Sequence, residues 1–370
     1  MSCNLSKAAF LQTFRKLSCV HSQLLLLRGV HVSQFKPPVV PTDIDPFPLF
    51  MEEGVQTILN DITGIDLKKT ALLQPKKLPL KPVLRAVPDK ELKRLQADSF
   101  KKERSKIEQR PPFMRARKEI SCELARNPEI APVMTNNLLF IDTSAFTRSE
   151  RANKDKVVVV RDTEGTLRTA TQEERDRAIQ IAFPVRGRTI FPSSFFKPEN
   201  LHNALQRCRY SYVLDKVCVQ YDPDHPEFLR ITKEIYDYIL ERREFDALRG
   251  TRHFGSMAFY LSLCHREYEL VLDMLERKLI VDVMDYIRLH RKIHSQEGSK
   301  GSLSKPLGYD KKNFEKLMGL YMKRITGNRK KQAEKMVESL LEAGLPEIIK
   351  ENLSQRELID SYLKLETNVY

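Results

Sequence analysis

Apolar residues recur at helical spacing over most of the chain, and at strand spacing only near its middle. Val55, Ile58, Leu59 and Ile62 share one face of a helix that Gly64 is placed to stop. Residues 157–161, VVVVR, form a β-branched run suited to a buried strand. Asp162, Thr163, Glu164 and Gly165 supply turn chemistry, with Gly165 free to take positive φ, and residues 166–170 return as the partner strand. Thr171 then reads as an N-cap, and Glu174, three residues on, completes a capping box over a helix that Pro184 stops. Residues 138–142, LLFID, add a third strand, so the spacing predicts a three-stranded antiparallel meander with the 172–182 helix against it.

Beyond Pro198 the pattern is helical. Phe228, Ile231, Ile235, Tyr238 and Ile239 form one stripe, opened by a cap at Asp224 with Glu227. Leu248, Phe254, Ala258 and Leu261 form another, where Gly250, Gly255 and Ser256 permit close contact. Residues 267–294 give one or two further helices, and a Gly/Ser/Lys linker, SQEGSKGSLSKPLG, precedes a C-terminal set. There Phe314, Leu317, Met318, Tyr321 and Ile325 make one face, and Ala333, Met336, Val337, Leu340 and Leu341 another, with Ser354 and Glu357 capping the last helix. The predicted fold class is mainly α: a small antiparallel β-meander with a packed helix (an α+β unit), then a helical domain, after an extended basic N-terminal arm. The expected boundaries are 1–36 for a presequence, 37–135 for the Pro-rich basic arm with short helices, 136–200 for the α+β unit, 201–295 for the helical domain and 296–370 for the linker and C-terminal helices.

Charge adds a location to this outline. The net charge over 370 residues is +14. Residues 1–42 hold five Lys/Arg and no Asp/Glu, and residues 68–118 hold seventeen basic against five acidic side chains, so the rest of the chain is nearly neutral. The first segment, with Lys7, Arg15, Lys16 and Arg28 among serines and apolar residues, has the make-up of a mitochondrial presequence. The second is an arm whose Lys76, Lys77, Lys81, Arg94, Lys101, Lys102, Arg104, Arg115 and Arg117 are candidate phosphate contacts to RNA, on a Pro-rich extended stretch and a helix broken at Pro111 and Pro112. Phe100 and Phe113 are its only aromatic residues, too few for a platform that stacks single-stranded bases. A solvated basic linker is the plainer alternative.

Candidate chemistry is sparse. His290 and His294 lie four apart, a spacing at which two imidazoles can share a metal, but Arg291 stands where a zinc protease has its glutamate, no third ligand is evident, and Arg288, Arg291 and Lys292 oppose a cation. Asp222, Asp224, His225 and Glu227 in YDPDHPE read as turn and cap, and His253 as a packed or surface histidine. The six cysteines contain no Cys-x-x-Cys pair, and the chain has no Walker loop, nucleophile elbow or Gly-x-Gly-x-x-Gly. No catalytic residue, metal site or cofactor is assigned, no small-molecule substrate is expected, and no apolar run approaches membrane-spanning length.

Three segments resemble a metazoan, mitochondria-specific family, member twenty-two of the mitochondrial small ribosomal subunit proteins. They are FMEEGVQTILNDITGIDLKKT (50–70), the stretch opening VVVVRDTEGTLRTATQEERDRAIQIAFP (157–201) and FDALRGTRHFGSMAFYL (245–261), and the middle one is the most specific because hairpin, EERDR and FP follow in order. The resemblance implies a structural, non-catalytic component of the small subunit that supports mitochondrial translation in the matrix. It implies contacts with small-subunit ribosomal RNA and with other mitochondrial small-subunit ribosomal proteins. Two further readings stay open at this point: a free RNA-binding regulator of mitochondrial transcripts, and a mitochondrial enzyme with an unrecognised site.

Overall fold

The Val-rich run becomes the centre of a four-stranded antiparallel sheet, ordered β1 (Glu123–Arg126), β4 (Thr166–Thr169), β3 (Val158–Arg161), β2 (Leu138–Ile141). The structure, a computed structural model, describes residues 45–66, 69, 86–110, 114–118, 122–141, 156–185, 187–294 and 308–368. Three of the four strands are those the sequence predicted. The fourth, β1, reads ELAR and is exposed at every position, so it carries no alternation to detect. It is held from outside: the Thr169 N–H donates to the Cys122 carbonyl and the Cys122 N–H to Thr169 Oγ1, each at 2.9 Å, and the Asn127 N–H donates to the Gly165 carbonyl at 3.0 Å. Val158 and Val160 point into a small core with Ala170, Ala178 and Ile179, the last two from α3 (Gln172–Ala182). The turn and cap form as predicted, with Gly165 at φ 79° and both hydrogen bonds of the Thr171–Glu174 capping box.

A separate, larger core unites helices from both ends of the described chain. Its two central helices are α7 (Phe254–Leu263) and α9 (Ile280–His294). Residues 254–262 are buried without a break, so the stripe read in the sequence is only part of an all-round apolar surface. Packed on α9 are α1 (Glu53–Thr63), α7, α8 (Tyr268–Glu276), α10 (Lys311–Met322) and α12 (Leu345–Asn368). Thus α1, grouped by sequence with the arm, inserts Val55, Leu59 and Ile62 into the main core, and Gly64 stops it in the left-handed conformation. The remaining helices are α2 (Asp89–Ile107), α4 (Pro198–Gln206), α5 (Tyr210–Gln220), α6 (Pro226–Arg242) and α11 (Asn328–Glu342).

Two helix starts differ from the sequence reading. His225, not Asp224, caps α6: its Nδ1 accepts from the Glu227 N–H at 3.0 Å, and Pro226 follows in the first turn, where a missing N–H costs nothing. Ser354 caps nothing. It sits exposed inside α12, which begins at Leu345 after Gly344 (φ 88°), because buried Ile348 and Ile349 carry the helix across the core before Ser354 is reached. The same helix is fixed to α9 through Arg356, which donates to Asp282 at 2.6 Å and Asp285 at 2.7 Å.

Candidate nucleic-acid interface

The basic arm is organised around α2, whose described side chains from Asp89 to Ser99 are all exposed, including Leu92 at 45% and Leu95 at 47%. The described half of this helix buries no side chain, and such a surface is either solvated or open to a partner. At about 100° per residue, positions 90, 93, 94, 101 and 104 follow one side of its axis, all of them Lys or Arg. Arg94 is exposed, and Lys101, Lys102 and Arg104 lie on the same helix backbone. Lys76, Lys77 and Lys81 fall outside the described residues, as does the expected presequence.

Arg115 and Arg117 separate in the structure. Arg115 is exposed. Arg117 turns inward: its guanidinium grips Asp176 of α3 at 2.9 and 3.3 Å, lies 4.0 Å from Asp224, and its side chain is 12% exposed. Those carboxylates already neutralise its charge, so the structure gives Arg117 a tethering task that charge counting in the sequence missed.

Both ends of the arm are anchored on one stretch, residues 246–256. On the entry side the Asp66 N–H donates to the Gly250 carbonyl at 2.9 Å, and Lys69 Nζ caps the carbonyls of Asp246 and Arg249 at 3.0 Å each. On the exit side Gln109, buried, donates to Thr63 Oγ1 at 3.0 Å and covers Gly255, while the Ser256 hydroxyl donates to the Arg110 carbonyl. The glycines are thus explained by the arm rather than by helix–helix contact. A Cβ on Gly255 would sit under 3.0 Å from three atoms of the Gln109 amide. Gly255→Ala is therefore expected to cost about 1–3 kcal/mol by overpacking and by loss of the Gln109–Thr63 bond. Thermal melting checks it, and adding Gln109→Ala to the same chain should recover part of the loss by vacating the space.

The motif-rich hairpin is a lock. Arg168 on β4 reaches Asp162 at the turn (2.8 and 3.2 Å) and Glu174 at the helix start (2.9 and 3.0 Å), a pair of fork contacts that fixes strand, turn and helix together. Arg168 holds the Glu174 carboxyl down at about 2. Around α6 the acids of YDPDHPE bind arginines, Asp222 taking Arg188 at 2.8 Å. His253 is buried and its Nε2 lies 2.7 Å from Asp215, which Arg252 also grips. Burial works against the Asp215 charge, yet His253 and Arg252 hold the carboxyl below its usual range, and burial keeps His253 itself neutral. Beside them burial pushes the Cys218 thiol up to about 11, so it stays protonated. His253 thus ties α7 to α5, a role for which the sequence offered no signal beyond the residue itself. His290 and His294 acquire the neighbour the sequence lacked, His265, from the turn after α7.

These joints lie largely inside one matched region. The family model described as mitochondrial 28S ribosomal protein S22 matches residues 48–295, about two thirds of the chain. The chain belongs to this family. Among S22-family relatives, the mouse small ribosomal subunit protein mS22 is 36% identical over 249 residues, 67% of either chain, and the bovine mS22 is 33% identical over the same length and shares. All three segments that carried the resemblance fall within the matched region or at its edge, and the S22-family match ends where α9 ends. Yet α10 and α12 beyond it contribute Phe314, Leu317, Ile348 and Ile349 to the same core as the matched helices. Among the described residues no helix is long and apolar enough to cross a membrane.

Proposed function

We propose that this S22-family chain is a non-catalytic structural component of the mitochondrial small ribosomal subunit in the matrix, supporting mitochondrial translation. Its basic arm lies on ribosomal RNA, and the outer surface of its sheet faces neighbouring ribosomal proteins. The observation that carries this is α2: nineteen residues, seven of them basic and four acidic, with no buried side chain described, between two anchors on the body. A tether at each end presents such a helix to a polyanion without the entropy cost of ordering a free tail. RNA contacts are assigned to Lys76, Lys77, Lys81, Arg94, Lys101, Lys102, Arg104 and Arg115, with Arg117 holding the base of the arm. Protein docking is supported by edge strand β2, which exposes Leu138, Leu139 and Phe140, and by Val133 (81% exposed) shortly before it in the chain.

Sedimentation of a mitochondrial lysate tests this reading. The tagged chain should travel with the small subunit. A free transcript regulator or an enzyme would remain near the top of the gradient, and that result would overturn the proposal. For location, residues 1–36 are expected to carry a reporter into the matrix, and Arg15→Glu with Lys16→Glu to impair import severalfold, since acids are absent from the parent segment. Fractionation of the reporter reads the outcome, and unimpaired import by the doubly substituted segment contradicts it.

A further inference from the structure

Three histidines scattered in the sequence meet where the end of α7 crosses the last turn of α9. His290 and His294 are one turn apart on α9, and His265 comes from the turn after α7, where its backbone takes φ 54°. One ring nitrogen of each lies within 4.8 Å of the other two. The His265 and His294 rings stack at 3.8 Å between centroids, and those of His290 and His294 approach to 4.5 Å.

Outer partners fix which nitrogens hold lone pairs. His294 Nε2 is 2.8 Å from the Ser262 carbonyl oxygen, which only accepts, so Nε2 carries the proton and Nδ1 is left with its lone pair. His290 Nε2 is 3.4 Å from Glu267 Oε1, and Nδ1 is 3.1 Å from the Ser262 hydroxyl. With the Nε2 proton directed at the carboxylate, His290 Nδ1 is the free donor once that hydroxyl rotates. Glu267 Oε2 is buried with no hydrogen-bond partner. A carbonyl behind one imidazole and a carboxylate behind another is the arrangement that orients metal-binding histidines and raises their basicity.

We propose that His265, His290 and His294 bind one divalent transition-metal ion of the zinc class, with Glu267 and the Ser262 carbonyl as positioning groups. Three imidazoles suit zinc and exclude magnesium and calcium, which take oxygen donors. Burial disfavours the charged form of all three rings, and His294 and Arg324 add to this at His290. Two of the three basic neighbours named from the sequence are paired, Arg288 with Asp285 and Lys292 with Glu52, while Arg291 and the nearby Arg324 are exposed to solvent, which screens their charge. Stacked rings present faces, whereas a metal binds in the ring plane, so loading turns the exposed His265 out of its stack. Zinc–nitrogen bonds of about 2.0–2.1 Å then draw the donors together. The ion would staple the turn after α7 to α9, a task independent of RNA binding.

The test uses the full chain, stripped with a chelator, given zinc or cobalt(II) alone and desalted before metal analysis. The parent is expected to retain one zinc per chain, to give the intense visible bands of four-coordinate cobalt, and to melt at a higher temperature with zinc than without. His265→Ala and His294→Ala should lose retention and the zinc-dependent shift, and Glu267→Gln should weaken binding about 10-fold. His202→Ala, at an exposed histidine elsewhere, should behave as the parent. Because His265 is exposed, its variant is expected to melt like the metal-free parent, which separates loss of metal from loss of fold. No zinc retained by the parent, or equal retention by His265→Ala, overturns the site.

Discussion

Gly165→Val is expected to dissolve the four-stranded sheet while the helical core stays folded. Gly165 sits at φ 79°, where a β-branched residue is strained by about 1–3 kcal/mol. Strain is only half the problem. Any Cβ there would lie under 3.0 Å from the Asn127 carbonyl oxygen, which is backbone and is fixed by the Asn127 N–H bond to Gly165. Relieving the clash detaches Asn127, and with it the register of β1 on β4. Overpacking against backbone adds roughly another 1–3 kcal/mol. The small core below the sheet rests on five buried residues and is distinct from the main cluster, so it has little stability in reserve. Hydrogen exchange reads the result: protection should vanish in 158–182 and persist in α7 and α9. Unchanged protection of the hairpin amides would contradict the account. Since the sheet carries the exposed apolar edge, incorporation into the small subunit should fall with it.

Reversing Lys76, Lys77, Lys101, Lys102 and Arg104 to Glu should abolish most incorporation without unfolding the chain. The five substitutions change the charge of residues 68–118 from +12 to about +2. If five phosphates are lost, a slope of about 0.9 per phosphate makes the parent interaction weaken by a few hundred-fold between roughly 50 and 200 mM salt, and the variant should show almost none of that dependence. Glutamate is as good a helix former as lysine or arginine, so α2 itself should persist. The anchors at Lys69, Gln109 and Arg117 are untouched. A parent-like melt with poor co-sedimentation is therefore the expected pair of results. Contacts through the sheet edge should leave a residual bound fraction. Normal co-sedimentation with an unchanged salt response would make the arm a solvated linker.

Features encoded within a few neighbouring residues are readable before any folding is considered. The hairpin, its glycine, the Thr171–Glu174 box and the stripes of α1, α6 and α10 all follow from local periodicity and turn chemistry, and the charge of the arm follows from counting. Segment 157–184 is legible in this way, and the structure adds its ties: Arg168 between turn and helix, β1 on the edge of β4, and Arg117 on Asp176. The joints between distant segments become visible only in the folded chain. Gln109 meets Thr63 across 46 positions and Ser256 meets Arg110 across 146, and β1 pairs by edges that carry no alternation. Arg117 looked like every other cation of the arm until Asp176 and Asp224 folded around it. His265, for which the sequence offers no reading, meets His290 and His294 only because α9 passes beside the turn after α7. A buried polar residue is stable only where a partner satisfies it, and that partner is brought by the path of the chain rather than by sequence spacing. Periodicity therefore reveals which face of a helix is buried, while the neighbour that each polar side chain needs is settled only when the helices pack.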